Sequence, residues 1–184
     1  MSSFFAIDPD VNYPGRWFLG EPTAPSGDEV DFWQFTNGRK VTQQPTGFTY
    51  PVQDDGVVLD ITIDAFDVPI ISKKAHDFFS CLGDDQVQTF PVEVRNKGKF
   101  YILNICSEIS AIDMAGTKLD YFPAAHPRVG KIRTIYTLKV KAEGVPRGLD
   151  IFRLKGYEVQ VIISRELKDR IESLGLTGLV YRPV

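Results

Sequence analysis

The chain has 184 residues, 43% hydrophobic, 12% aromatic and 24% charged, with a net charge of −3. That length supports one sizeable core or two small lobes sharing one, and so aromatic a chain with so little net charge is not intrinsically disordered. No apolar run approaches the roughly 20 residues that span a bilayer, and Met1 to Asp10 lacks the basic-then-apolar pattern of an export signal, so a soluble, cytoplasmic protein is expected.

Residues 1–56 are punctuated by Pro9, Pro14, Gly15, Pro22, Pro25, Gly27, Pro45 and Gly47, with aromatic runs at Trp17–Leu19 and Phe32–Phe35. This composition predicts an irregular region with short edge strands, pinned by its aromatic side chains to an α+β body at 57–184, the whole forming one compact domain. A partner-binding arm is the other reading of the same region. Val57 to Asp64 alternates, with Val57, Leu59, Ile61 and Ile63 on one face, and reads as a strand. Phe100 to Cys106 is apolar at nearly every position, as in a central strand covered on both faces. Arg133 to Ala142 alternates again, with Tyr136, Leu138 and Val140 assigned inward and Lys139 and Lys141 outward. Leu149–Leu154 and Glu158–Ile163 complete the strands, in mixed or antiparallel sheets with few short helices.

An internal repeat runs through this body. Ile70-Ile71-Ser72, Leu82-Gly83 and Pro91-Val92 recur as Ile162-Ile163-Ser164, Leu174-Gly175 and Pro183-Val184, every position offset by 92 residues without a gap. Each copy, near 68–94 and 157–184, reads as strand, helix, strand. The serine is a helix N-cap and the glycine a helix stop. Ala75, Phe78, Phe79 and Leu82 form one helical stripe; Leu167, Ile171 and Leu174 form the other.

Motifs for chemistry are missing. The chain has no P-loop, GxGxxG, HExxH, GxSxG or CxxC pattern. Cys81 and Cys106 have apolar flanks and read as two buried, reduced thiols; His76 and His126 are fifty residues apart. Asp60 and Asp64 on one extended strand would lie about 13 Å apart, beyond the roughly 5–9.5 Å of glycosidase carboxylate pairs. Asp54 and Asp55 beside Gly56 have a turn composition. No cofactor or metal is therefore expected. A small hydrolase or transferase built from Asp60, Asp64, His76 or Cys106 is one alternative, and a structural or regulatory binding domain is another. Lys131, Arg133, Lys139 and Lys141 sit on or near one strand, but a pI near 5.4 argues against nucleic acid as a partner.

Charge is unevenly spread. Met1 to Ser72 holds eleven acids against Arg16, Arg39 and Lys40, a balance of −8, and Lys73 to Val184 holds eighteen bases against thirteen acids, a balance of +5. The acidic third reads first as a solvated face or as a surface that pairs with the basic remainder. Its sharper reading is a surface that steers a basic partner. On that reading Asp28, Glu29, Asp31, Asp54 and Asp55 steer, and Trp33 and Phe35 anchor.

The segment Leu149-Asp150-Ile151-Phe152-Arg153-Leu154-Lys155-Gly156-Tyr157, followed by Ser164 to Leu167, Gly175 to Gly178 and the terminal Pro183-Val184, carries a resemblance. It resembles bacterial polymorphic-toxin immunity proteins of the myxobacterial-type immunity domain family, formerly a domain of unknown function. Asn104, Ile105 and Asp113 fit the family's central strand and turn more loosely. The resemblance implies a non-catalytic protein that binds and neutralises a cognate toxin in the producing cell. Within the signature, Ile151 and Leu154 read as core, and Arg153 as an internal ion-pair partner.

Overall fold

A computed structural model describes residues 3–25, 31–43 and 46–184. It is mostly sheet with two short helices, an α+β fold. The strands are β1 (Phe4–Pro9), β2 (Phe18–Leu19), β3 (Thr49–Tyr50), β4 (Val52–Asp54), β5 (Ile61–Ile63), β6 (Pro69–Ile71), β7 (Val87–Val94) and β8 (Gly98–Ile105). They continue with β9 (Glu108–Ile109), β10 (Lys118–Tyr121), β11 (Ile132–Thr137), β12 (Ile151–Leu154), β13 (Tyr157–Ser164) and β14 (Leu179–Pro183). Helix α1 is Lys73–Phe79 and α2 is Arg165–Ser173.

Two five-stranded sheets organise the chain, in the orders β3-β7-β8-β6-β5 and β14-β1-β13-β12-β9. In the first, β6 and β7 flank β8, antiparallel to both; in the second, β13 and β14 flank β1 in the same manner. A helix links the flanking strands in each case. Ser72 accepts the Ala75 N–H at 3.2 Å and Ser164 accepts the Leu167 N–H at 3.0 Å, so each serine caps a donor the first helical turn leaves unpaired. Pro91 and Pro183 lack an N–H, and each sits where its strand has a neighbour on one side only.

Burial divides into three cores. Ile71, Tyr101, Leu103 and Ile105 from the first sheet meet Phe5, Ile151, Val161 and Ile163 from the second, with Ala75, Phe78, Phe79, Leu167 and Ile171 of the helices among them. The outer face of the first sheet, through Ile70, Phe90, Val92, Phe100 and Ile102, packs on Trp17, Phe32, Phe35 and Phe48. The outer face of the second, through Ala6, Phe152 and Ile162, packs on Ala111 and Leu138. Each sheet is thus covered on both faces, which is why β8 is apolar at nearly every position from Phe100 onward. Its buried polar residue, Asn104, donates to the Arg39 carbonyl at 2.8 Å and to Gln88 Oε1 at 3.0 Å.

Several expectations are corrected. The N-terminal stretch holds more than short edge strands, because β1 lies inside the second sheet between β13 and β14. The strand expected over 57–64 is regular only at 61–63, and Val57 and Val58 are exposed. Tyr136 is 58% exposed, since β10 and β11 form a separate two-stranded ribbon and the buried side chain there is Leu138. Leu174 is 47% exposed; the helix ends there, and Leu176, past the Gly175 turn, enters the shared core instead. Cys81 is also exposed rather than buried.

Candidate functional site

The turn between β5 and β6 is built on one carboxylate. Asp64 is 5% exposed. Its Oδ1 accepts the Phe66 N–H at 2.8 Å and the Val68 N–H at 3.0 Å, and its Oδ2 accepts the Tyr50 hydroxyl at 3.0 Å. Burial pushes the Asp64 carboxyl above its usual range, against the opposing pull of the two backbone N–H groups. The turn so held presents Phe66, whose ring stacks on Phe32 at 5.2 Å and meets Trp33 edge-on at 6.1 Å.

Trp33 itself is 60% exposed. It lies in a 3-10 turn, Phe32–Phe35, whose first residues are capped by Asp31: Asp31 Oδ1 accepts the Trp33 N–H at 3.0 Å. The alternation of this short turn sends Phe32 and Phe35 into the core and Trp33 outward. An exposed indole braced by a second ring, beside a carboxylate, is a surface of the kind that anchors protein interfaces. Phe35 is fully buried and offers a partner no surface.

On the other flank of the turn, Ala65 and Ile63 line a shallow groove with Val11, Arg16, Phe18, Leu19 and Asp54. Arg16 forms its wall: Nη1 donates to the Asp10 carbonyl at 2.6 Å, Nη2 donates to Thr62 Oγ1 at 2.9 Å, and the guanidinium lies over the Phe18 ring at 4.8 Å. The backbone comes close here, and a Cβ on Gly56 would strike the Gly15 carbonyl. Asp55 is exposed and meets Lys97 at 2.7 Å; that bond and the Gly56 N–H hold its carboxyl below the usual range.

Of the seven contact candidates read from the sequence, Asp31 and Trp33 lie together, Asp54 borders the groove, and Asp55 is committed to Lys97. Asp28 and Glu29 lie outside the described residues. Phe66, which braces Trp33, went unnoticed because a lone aromatic in a turn has no periodic signature. The acidic third is partly spent on the basic remainder: Asp8 meets Arg182 at 3.3 Å, Asp55 meets Lys97, and Asp60 approaches Lys74 at 4.0 Å.

The residues of the enzymatic alternative have separate local roles. Asp60 binds Ser72 and Thr177, and Asp64 holds the turn. His76 stacks on Tyr101 at 3.8 Å, and burial pushes the Cys106 thiol up to about 11. Among the described residues no group of three or more His, Cys, Asp or Glu is placed to hold a metal, and no helix is long and apolar enough to cross a membrane. Arg153, read as an ion-pair partner, is buried against carbonyl groups, with Nη1 donating to the Glu158 carbonyl at 2.7 Å.

Compared with known proteins, residues 16–184 match the profile of an immunity protein family, Imm11. A search of curated proteins returns no match. The matched span is nearly the whole chain, and the protein belongs to the Imm11 immunity protein family.

Proposed function

From that membership, we propose that this protein binds a cognate polymorphic toxin in the cytoplasm of the producing cell and neutralises it by covering its working surface. The observation that carries the reading is the match over residues 16–184, which includes the whole surface around Trp33 and the β5–β6 turn. The toxin is basic on this reading, because a −8 balance before Lys73 attracts positive charge and many agents that act on nucleic acid must be basic. Trp33, braced by Phe66, is the anchor. Asp31 and Asp54, exposed and without an ion-pair partner among the described residues, steer together with Asp28 and Glu29, and Asp55, tied to Lys97, contributes least. Association rate then depends on the acids, and lifetime on the aromatic contact.

We also read the segments near 68–94 and 157–184 as copies of one ancestral unit. Support comes from the ungapped 92-residue offset, the equivalent strand neighbours and the matched serine caps.

The test is co-expression with the product of a neighbouring gene whose sequence reads as a toxin, followed by binding kinetics of the purified pair at two salt concentrations. Rescue of growth and a stable complex are expected. Neutralising the five acids together slows association at low salt, and less so at high salt. Failure to bind or protect against that product overturns the toxin reading; protection with unchanged kinetics removes only the acidic face.

A further inference from the structure

A second feature lies away from the Trp33 surface. Between the two sheets is a cavity of about 260 Å³. Its walls are Ile61, Ile63, Phe79, Leu103, Ile105 and Ile151 in the depth, and it reaches the surface at Asp67 and the 57%-exposed Val159. Arg153 also lines it, at 1% exposure.

The state of that guanidinium is unusual. Nη1 is occupied by the Glu158 carbonyl, Nη2 has only a long 3.5 Å contact to the Phe35 carbonyl, and Nε has no protein partner among the described residues. No carboxylate of the described residues lies within ion-pair distance of it. Burial lowers the Arg153 pKa to about 10, with the charges of Asp67 and Glu158 opposing from further off. A cation this deep is costly unless an anion approaches it. The edge formed by Nε and Nη2 is the side of a guanidinium that takes a carboxylate in a two-point contact. The acids nearby do not block this: Asp8 is engaged by Gln160 and Arg182, and Asp67 sits at the exposed rim.

We propose that this cavity binds a small aliphatic carboxylate, its chain among the isoleucines, and that the guanidinium of Arg153, whose Nε is sealed in the unliganded packing, turns its Nε–Nη2 edge to the head. The volume holds a chain on the order of eight heavy atoms, taking a water's ~30 Å³ as the unit. An uncharged analogue of the same length fills the same apolar space and forfeits the ionic contact. The site is independent of the toxin reading, since neither Trp33 nor any of the five acids assigned to steering lines it.

The experiment uses the full chain with labelled isoleucine methyls, titrated with octanoate, octan-1-ol and octylammonium. Octanoate is expected to shift the Ile61, Ile63 and Ile151 methyl signals, and to bind at least about tenfold more tightly than octan-1-ol. Octylammonium should not bind. Arg153→Met should bring octanoate down to the level of octan-1-ol. Ile63→Phe, which narrows the apolar part and leaves the guanidinium alone, should weaken both by about tenfold, keeping the test intact if the arginine variant does not fold. Equal affinity for octanoate and octan-1-ol, methyl shifts elsewhere, or no octanoate response at about 10 mM overturns the proposal.

Discussion

Asp60 and Thr177, 117 residues apart, are joined by three hydrogen bonds: the Asp60 N–H donates to Thr177 Oγ1 at 3.0 Å, and the Thr177 N–H and hydroxyl each donate to Asp60 Oδ2 at 3.1 Å. The other oxygen of Asp60 accepts the Ser72 hydroxyl at 2.7 Å, so one carboxylate ties the N-cap of α1 to the turn after α2. Gly178 completes the junction, because a Cβ there would collide with the Ile61 carbonyl. A reciprocal tie exists: Asp150 accepts the Ser164 hydroxyl at 2.5 Å, and its N–H donates at 2.7 Å to Gln86, in the turn after α1. Each sheet is thus locked to the loop that follows the other sheet's helix.

Thr177→Val removes the hydroxyl from this junction while keeping the side-chain shape. Hydrogen bonds to charged groups contribute roughly 1.5–3 kcal/mol, and a loss of that size is expected in urea unfolding at pH 7. A change of less than about 0.5 kcal/mol would mean that water replaces the hydroxyl at no cost.

The helical stripes differ in depth, and the variants should show it. Phe79→Ala and Ile171→Ala, at 1% and 0% exposure, are expected to cost ~2–5 kcal/mol through lost burial and a residual cavity. Leu174→Ala should cost under about 1 kcal/mol, because that side chain is 47% exposed. Equal costs at all three sites by denaturant unfolding would contradict the placement of Leu174.

Asp64 makes stability depend on pH. Its folded pKa is raised, so its contribution is fully present below the unfolded value near 4 and declines as pH rises through the folded value. Asp64→Asn cannot ionise, while its amide oxygen can still accept from Phe66 and Val68 and its NH₂ can donate to Tyr50 Oη. The variant should lose this part of the decline above about pH 4. Asp64→Ala leaves two N–H groups unmet and should cost roughly 1–3 kcal/mol. Parallel stability profiles for wild type and Asp64→Asn would show that the carboxyl's ionisation does not couple to folding.

The two thiols should separate cleanly under alkylation. Cys81 is exposed, whereas Cys106 is half-buried with its thiol pushed up to about 11, so its reactive thiolate is scarce near neutrality. Iodoacetamide at pH 8 is expected to label Cys81 first and Cys106 only on unfolding, as peptide mass mapping would read out. Simultaneous labelling of both in the folded protein would show that Cys106 opens to solvent.

Local signals in the chain were enough to locate β7, β8, β13, both helices, their serine caps and the Gly175 turn after α2, because periodicity and capping act within a few residues. Gly83 instead closes a 3-10 turn, Ser80–Leu82, beyond the end of α1. The C-terminal signature was likewise sufficient for the family. The site was legible only in part: Trp33 and Asp31 stood out by type, but Phe66 and the buried Asp64 that positions it did not. The tertiary structure alone decided that Phe4–Pro9, short and ended by proline, pairs between β13 and β14, and that Leu176 rather than Leu174 enters the core. It also decided which acids are tied, Asp60 to Thr177 and Asp55 to Lys97, and that Arg153 faces a cavity instead of a carboxylate. The reason is physical: strand pairing and ion pairing join residues separated by many positions, and their energies depend on neighbours that no sequence window contains.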